Sequence, residues 1–134
     1  DSVAIREGMA DPPLRQLAIE EASTLLTRLQ KDPLFDRLNN TEVMLHEIPY
    51  AVQTGDRRID TGVIDLLYKG EEGWTILDFK TDQLQDEDGL LRKVDDYRYQ
   101  LSRYKAASSK LLGRDLRTQL CFLDFEGLVK IIDI

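Results

Sequence analysis

Ile59-Asp60-Thr61-Gly62-Val63-Ile64-Asp65-Leu66-Leu67-Tyr68, the turn Gly70-Glu71-Glu72-Gly73 and Trp74-Thr75-Ile76-Leu77-Asp78-Phe79-Lys80-Thr81 are the stretch that decides the fold. The two flanking runs alternate and are rich in β-branched and aromatic residues, so they read as strands of a hairpin. If Gly70 to Gly73 closes as a two- or four-residue loop, Lys69 pairs with Trp74 and Asp65 falls opposite Asp78. Directly paired residues share a sheet face with Cβ atoms about 4.5 to 5.5 Å apart. Lys80, two residues beyond Asp78, shares that face. The neighbours expected there are Val63, Leu67 and Ile76. Two carboxylates and an ammonium group are therefore set into an otherwise apolar surface.

Adjacent carboxylates repel, and the proton affinity of the pair rises unless a cation lies between them. A hard divalent ion with few oxygen ligands and completing waters, Mg²⁺ above all, suits such a pair. Lys80 beside it can orient a nucleophilic water or stabilise charge developing on a phosphate. The competing reading is a solvated hairpin with ordinary paired charges.

Working outward, Asp11-Pro12-Pro13 starts a helix as an N-cap acid followed by proline in the first turn. Leu14, Leu17, Ala18, Ala22, Leu25, Leu26 and Leu29 then mark an amphipathic helix to about Lys31. Asp32-Pro33 breaks it, and Leu34 to Leu38 is a short helical turn. A strand containing Val43, Leu45 and Glu47 runs to near Gln53, with a hairpin turn at Thr54-Gly55-Asp56. After the central hairpin, Gln83 to Gly89 reads as an acidic loop. Leu90 to Leu112 is a long helix closed by Gly113. Leu116 to Phe125 and Leu128 to Ile134 are the last two strands. The expected fold class is α/β, a mixed β-sheet flanked by helices in the order α-βββ-α-ββ.

Gly62-Val63-Ile64-Asp65 (G-x-x-D), then Asp78-Phe79-Lys80-Thr81-Asp82, then Tyr97-x-x-Gln100-x-x-x-Tyr104 together resemble the core of the PD-(D/E)xK nuclease superfamily. The variant is similar to the RecB-type nuclease domain at the C-terminal end of RecB and AddA helicase–nucleases, with AddA the nearer match. The resemblance covers roughly residues 43 to 107 and implies a restriction-endonuclease-like core. It further implies that Asp65 and Asp78 bind Mg²⁺ (Mn²⁺ substituting), that the Phe79 carbonyl adds a ligand, and that Lys80 is the catalytic lysine. Glu47 matches the glutamate on the preceding strand, either a site residue or simply an alternating charge. Asp82 is expected to fix the loop. Tyr97, Gln100 and Tyr104 lie on one helix face. Gln100 and Tyr104 are expected to support the site, and Tyr97 either to pack or to act there. The implied activity is Mg²⁺-dependent hydrolysis of DNA, an exonuclease acting on single-stranded ends in double-strand-break repair and recombination. Its implied partners are helicase domains of the same polypeptide and a second subunit.

The chain departs from the family in one respect. A histidine on a helix upstream of the strands often completes the metal site, and the helix from Pro12 to Lys31 has none. His46 neighbours Glu47 on a strand and so points to the opposite face. Either the missing ligand precedes Asp1 or the protein lacks it.

Composition narrows the alternatives. The chain has 134 residues, 18 Lys+Arg against 25 Asp+Glu, and 42% hydrophobic residues, which is enough for one compact domain over residues 1–134. It opens on Asp1 and stops within the apolar run Val129 to Ile134, so a fragment of a longer polypeptide is expected. No apolar run approaches the roughly 20 residues of a membrane span. The lone Cys121 excludes an internal disulfide and a cysteine-ligated zinc or iron–sulfur cluster, and fits a reducing, cytoplasmic setting. The net charge is −7. Residues 89 to 120 nevertheless carry eight basic residues against three acids, a local +5 suited to a phosphate backbone or to a solvated helix face. Two other functions remain open at this level: a non-catalytic DNA-binding or subunit-docking module, and a Mg²⁺-dependent RNA or nucleotide hydrolase.

Overall fold

The computed structural model describes residues 12–134, so the N-cap expected at Asp11 lies outside the described residues. Helix α1 (Pro12–Lys31) and the short α2 (Pro33–Asn39) precede strands β1 (Val43–Gln53), β2 (Ile59–Gly70) and β3 (Gly73–Lys80). Helix α3 (Glu87–Leu112) and strands β4 (Arg117–Phe125) and β5 (Leu128–Asp133) complete the chain. The five strands form one mixed sheet in the order β1-β2-β3-β4-β5, in which only β3 and β4 are parallel. A parallel neighbour requires a crossover, and α3 supplies it.

The expected short helical turn is α2, whose N-cap Asp32 accepts a hydrogen bond from the Leu34 N–H at 2.9 Å. The central hairpin closes on a two-residue Glu71-Glu72 turn with Gly70 opposite Gly73 and Lys69 opposite Trp74. Gly73 adopts φ +101°, a conformation that side chains disfavour. Helix α3 begins earlier than the sequence suggests. Asp86 caps it by accepting from Gly89 N–H at 2.8 Å, which turns Glu87 to Gly89 from acidic loop into first helical turn.

The sheet separates two cores. On one side α3 covers Leu67, Ile76, Leu120 and Phe122. On the other, α2 packs Leu34 and Leu38 against Leu66, Leu77, Cys121 and Leu123. Helix α1 contributes less than its apolar stripe suggests. Leu25 and Leu29 reach the second core, while Leu14, Leu17 and Leu26 stay 57, 52 and 59% exposed. Arg28 ties the C-terminal part of α1 to β4 through the Leu123 carbonyl (2.5 Å) and Asp124 (3.2 Å).

One expectation fails in an informative way. Val63 is not on the core face with Asp65; it is 51% exposed, and Ile64 is buried beneath α3 instead. Ile64 and Leu67 lie three residues apart yet share that core, so the alternation of β2 slips by one step between them. Across the ladder Glu47 stands opposite Asp65, between the pairs His46–Leu66 and Ile48–Ile64, and has φ +46°. The pleat thus breaks in both strands at one level. Beyond the break, Ile48, Tyr50 and Val52 turn onto the α3 side.

Gly113 terminates α3 in the left-handed region at φ +66°, its N–H bonded to the Ser109 carbonyl at 2.9 Å. A Cβ there meets no neighbouring atom, so only backbone strain opposes substitution. Gly113→Ala should therefore lower stability by about 1–2 kcal/mol in urea denaturation, with an unchanged m-value. A neutral result would show that the cap relaxes.

Candidate functional site

Asp78 lies on the middle strand, where β2 and β4 flank it and α3 covers its face, and it is only 2% exposed. Its Oδ2 is fully buried. The Lys80 Nζ stands 2.7 Å from it as a charge-assisted ion pair. Burial raises the proton affinity of Asp78. Lys80 opposes the rise, Asp65 adds to it, and the net effect pushes the carboxyl up to about 6.

Asp65 takes an unexpected place. The β2–β3 ladder keeps the expected register but ends at Leu66–Leu77, one step short of an Asp65–Asp78 pair. The Asp65 carboxylate instead reaches across and accepts the Phe79 N–H at 3.0 Å, a side chain standing in for a strand carbonyl. The N–H and C=O of one strand residue point to the same edge, so the Phe79 carbonyl faces this gap as well.

Helix α3 supplies the other wall. Lys80 Nζ donates to Gln100 Oε1 at 2.8 Å, and Gln100 Nε2 donates to the Tyr104 hydroxyl at 3.0 Å. The ammonium can only donate, which fixes the orientation of the amide. Lys80 Nζ also lies 4.0 Å from the centroid of the Tyr97 ring. The Tyr97 hydroxyl donates to Asp82 Oδ2 at 2.8 Å, and burial followed by this carboxylate pushes the phenol up to about 12. Burial raises Tyr104 too, helped by the charges of Asp78 and Asp65.

The structure thus brings together Asp65, Asp78, Phe79, Lys80, Tyr97, Gln100 and Tyr104. Asp82 holds the loop after β3 to α3 through Tyr97 and through Lys93, 3.4 Å away. Lys93 belongs to no motif of the sequence, although it sits one turn before Tyr97 on the same face. Glu47 is exposed, at a left-handed backbone position, and does not converge with Asp65 and Asp78 on one point. His46 is exposed on the same strand. Among the described residues no three Asp, Glu, His or Cys side chains converge on one point. Two carboxylates, one raising the proton affinity of the other, plus a main-chain carbonyl fit a hard cation that keeps several waters. They do not fit a cage made wholly of side chains. A groove of about 750 Å³ lies elsewhere, beside Asp36, Tyr68, Glu72, Arg117, Gln119 and Asp133.

The fold and cluster define an α/β domain with an Asp–Asp–Lys centre made by Asp78 and Lys80 of its middle strand and Asp65 of β2. No family model matches the chain. It is similar to the A subunit of the ATP-dependent helicase/nuclease of Heliobacterium modesticaldum, 27% identical over 130 residues, covering 82% of this chain and 9% of that protein. The protein of the same name from Carboxydothermus hydrogenoformans is 27% identical over 140 residues (95% and 12%), and that from Clostridium acetobutylicum 25% over 142 residues (92% and 11%). Among solved structures, protein VC1899 from Vibrio cholerae overlays 85% of this chain and 27% of its own at a TM-score of 0.41 and 18% identity. Among the described residues no helix is long and apolar enough to cross a membrane.

The raised Asp78 carboxyl has a consequence for stability. Its folded proton affinity exceeds the unfolded one, so the stabilisation it offers is complete below about pH 4 and is lost as pH rises through about 6. In chelator, wild type should therefore lose more stability between pH 4.5 and pH 7.5 than Asp78→Asn, as read by urea unfolding at both pH values. Parallel behaviour of the two proteins would mean that Asp78 is not strained.

Proposed function

We propose that the chain is a PD-(D/E)xK nuclease domain of the AddA kind, with a restriction-endonuclease-like core, that hydrolyses DNA phosphodiester bonds with Mg²⁺. The observation that carries this reading is the buried Asp78 carboxylate, whose proton affinity burial and Asp65 raise, set 2.7 Å from the Lys80 ammonium. The likeness to helicase/nuclease proteins supports it, although the chain spans only 9–12% of the length of those three relatives. By the same reading the domain works with helicase domains of the same polypeptide, and with a second subunit, as an exonuclease on single-stranded ends during break repair and recombination.

Asp65, Asp78 and the Phe79 carbonyl are the residues that would hold Mg²⁺, and Mn²⁺ would substitute. The bound ion supplies charge against the phosphate and acidity to a water. In the hydrolysis, a water oxygen bonds to phosphorus as the bond to the leaving sugar oxygen breaks, and the water's proton ends on that leaving group. Lys80 is held by Asp78 and Gln100 over the Tyr97 ring. It is thereby fixed to donate to the attacking water or to a phosphate oxygen. Tyr104 orients Gln100, and Gln100 orients Lys80. Because Asp78 is almost wholly buried, its attraction for Lys80 is stronger than it would be in solution.

Two measurements test the proposal. Lys80→Ala should lower Mg²⁺-dependent cleavage of single-stranded DNA by about 10²–10³-fold, the usual loss on removing one preorganised donor, while circular dichroism stays unchanged. Cleavage of RNA in preference to DNA would redirect the reading, and wild type inert on a panel of single-stranded DNA, duplex DNA and RNA would remove it. Second, ten millimolar Mg²⁺ should raise the melting temperature near pH 7.5 and raise it less near pH 5, where protons compete for the carboxylates. With Kd near one millimolar the gain is roughly 1.4 kcal/mol. Asp78→Asn should lose most of this shift, and a full shift in that variant would place the ion elsewhere.

A further inference from the structure

The half of the β1–β2 hairpin beyond the pleat break is fastened to α3 at several points. Asp60 Oδ1 accepts from Arg103 Nε at 3.2 Å and Nη2 at 2.5 Å, and the same Nη2 also reaches the Thr61 carbonyl at 3.1 Å. The Tyr50 hydroxyl donates to Asp60 Oδ2 at 3.0 Å, and its ring meets the Tyr104 ring edge-on, centroids 5.9 Å apart at 81°. Farther along, Lys110 Nζ donates to the Gln53 carbonyl at 2.5 Å.

Gly62 makes this arrangement possible. It is the cross-strand partner of Tyr50, and a Cβ built on it would lie 2.8 Å from the Tyr50 ring and hydroxyl. Real Cβ atoms do not approach that closely, so any side chain at 62 must push the ring away. The glycine of the G-x-x-D stretch is therefore explained by space rather than by an unusual φ.

The chain of contacts then runs from Asp60 through Tyr50 and Arg103 to Tyr104, from Tyr104 to Gln100, and from Gln100 to Lys80. We propose that Tyr50, Asp60 and Arg103, with Gly62 leaving room for the Tyr50 ring, are positioning residues that set Gln100 and Tyr104 against Lys80. This deepens the nuclease reading and rests on it for its catalytic consequence only. The Arg103 guanidinium holds Asp60 below the usual carboxylate range, so the clamp stays charged at neutral pH. The ion pair is partly exposed, its side chains 35% and 20% accessible, so it adds little to global stability. Its effect should therefore appear in geometry.

The test reads geometry and chemistry separately in the chain itself. In Arg103→Met the side-chain amide resonances of Gln100 should move in ¹⁵N-resolved NMR spectra. A misplacement of about 1 Å costs up to about a hundredfold. We therefore expect kcat for Mg²⁺-dependent cleavage of single-stranded DNA to fall about ten- to a hundredfold, with KM and melting temperature close to wild type. Arg103→Lys, which can still pair with Asp60, should recover part of both signals. Gly62→Ala should reproduce the defect, and should add nothing in a Tyr50→Leu background because the clashing ring is gone. If Arg103→Met does not fold, Tyr50→Phe decides: it keeps the ring, loses the Asp60 bond, and should move the same resonances less. Unmoved Gln100 resonances in a folded variant overturn the proposal, as does additivity of Gly62→Ala with Tyr50→Leu. A wild type inert toward DNA removes the nuclease reading alone, since the Gln100 resonances still decide the positioning role.

Discussion

A carboxylate on the middle strand of a sheet, covered by a helix, loses its water, and that loss costs several kcal/mol unless something replaces the hydration. At Asp78 the replacement is one ammonium at 2.7 Å, with a second carboxylate alongside. The surrounding structure follows from keeping Lys80 in place. Gln100 Oε1 accepts one of its hydrogen bonds, the Tyr97 ring lies against it, and Tyr104 fixes the amide. An apolar residue at 78 would pack more cheaply. The arrangement therefore spends stability on a charge cluster in the core.

The break in the β1–β2 pleat belongs to the same constraint. A regular ladder would carry β2–β3 pairing past Leu66–Leu77 and fill the Phe79 N–H with a strand carbonyl. Pairing stops there, and the Asp65 side chain occupies the vacated acceptor position. This draws a second carboxylate toward Asp78 while satisfying a backbone donor that burial would otherwise leave costly. The cost falls on Glu47, which adopts φ +46° opposite Asp65. One irregularity thus assembles the acidic pair and turns the distal hairpin onto α3.

Where a local rule controls the outcome, the sequence is legible. Gly70 and Gly73 fix the turn, the turn fixes the register, and the register predicts that Asp65, Asp78 and Lys80 meet. The i, i+3, i+7 spacing places Tyr97, Gln100 and Tyr104 on the face that reaches Lys80. What the sequence hides is set by tertiary packing. Nothing in His46-Glu47-Ile48 signals a left-handed residue, so strict alternation puts Val63 in the core where Ile64 belongs. The start of α3 is obscured because an acidic run reads as loop, although Asp86 three residues before Gly89 is a sound cap. The stripe on α1 has helical period, yet period alone does not say how much of a helix the sheet is long enough to cover.

The Tyr97 phenol shows why residue identity matters at a position that looks like packing. A phenylalanine would give Lys80 the same π face. The hydroxyl, however, donates to Asp82, and Asp82 also pairs with Lys93 one turn earlier on α3. The loop leaving β3 is thereby bound to the helix that carries Gln100, immediately after the strand end that carries Lys80. Strand and helix are separate elements joined by six residues, and only contacts between them can keep Lys80 Nζ within hydrogen-bond reach of Gln100. Asp82–Tyr97 fastens α3 to the loop after β3, and Asp60–Arg103 fastens the same helix to β2. The lysine therefore lies between two fastenings of one helix, and its geometry is set by the fold rather than by its own flexible chain.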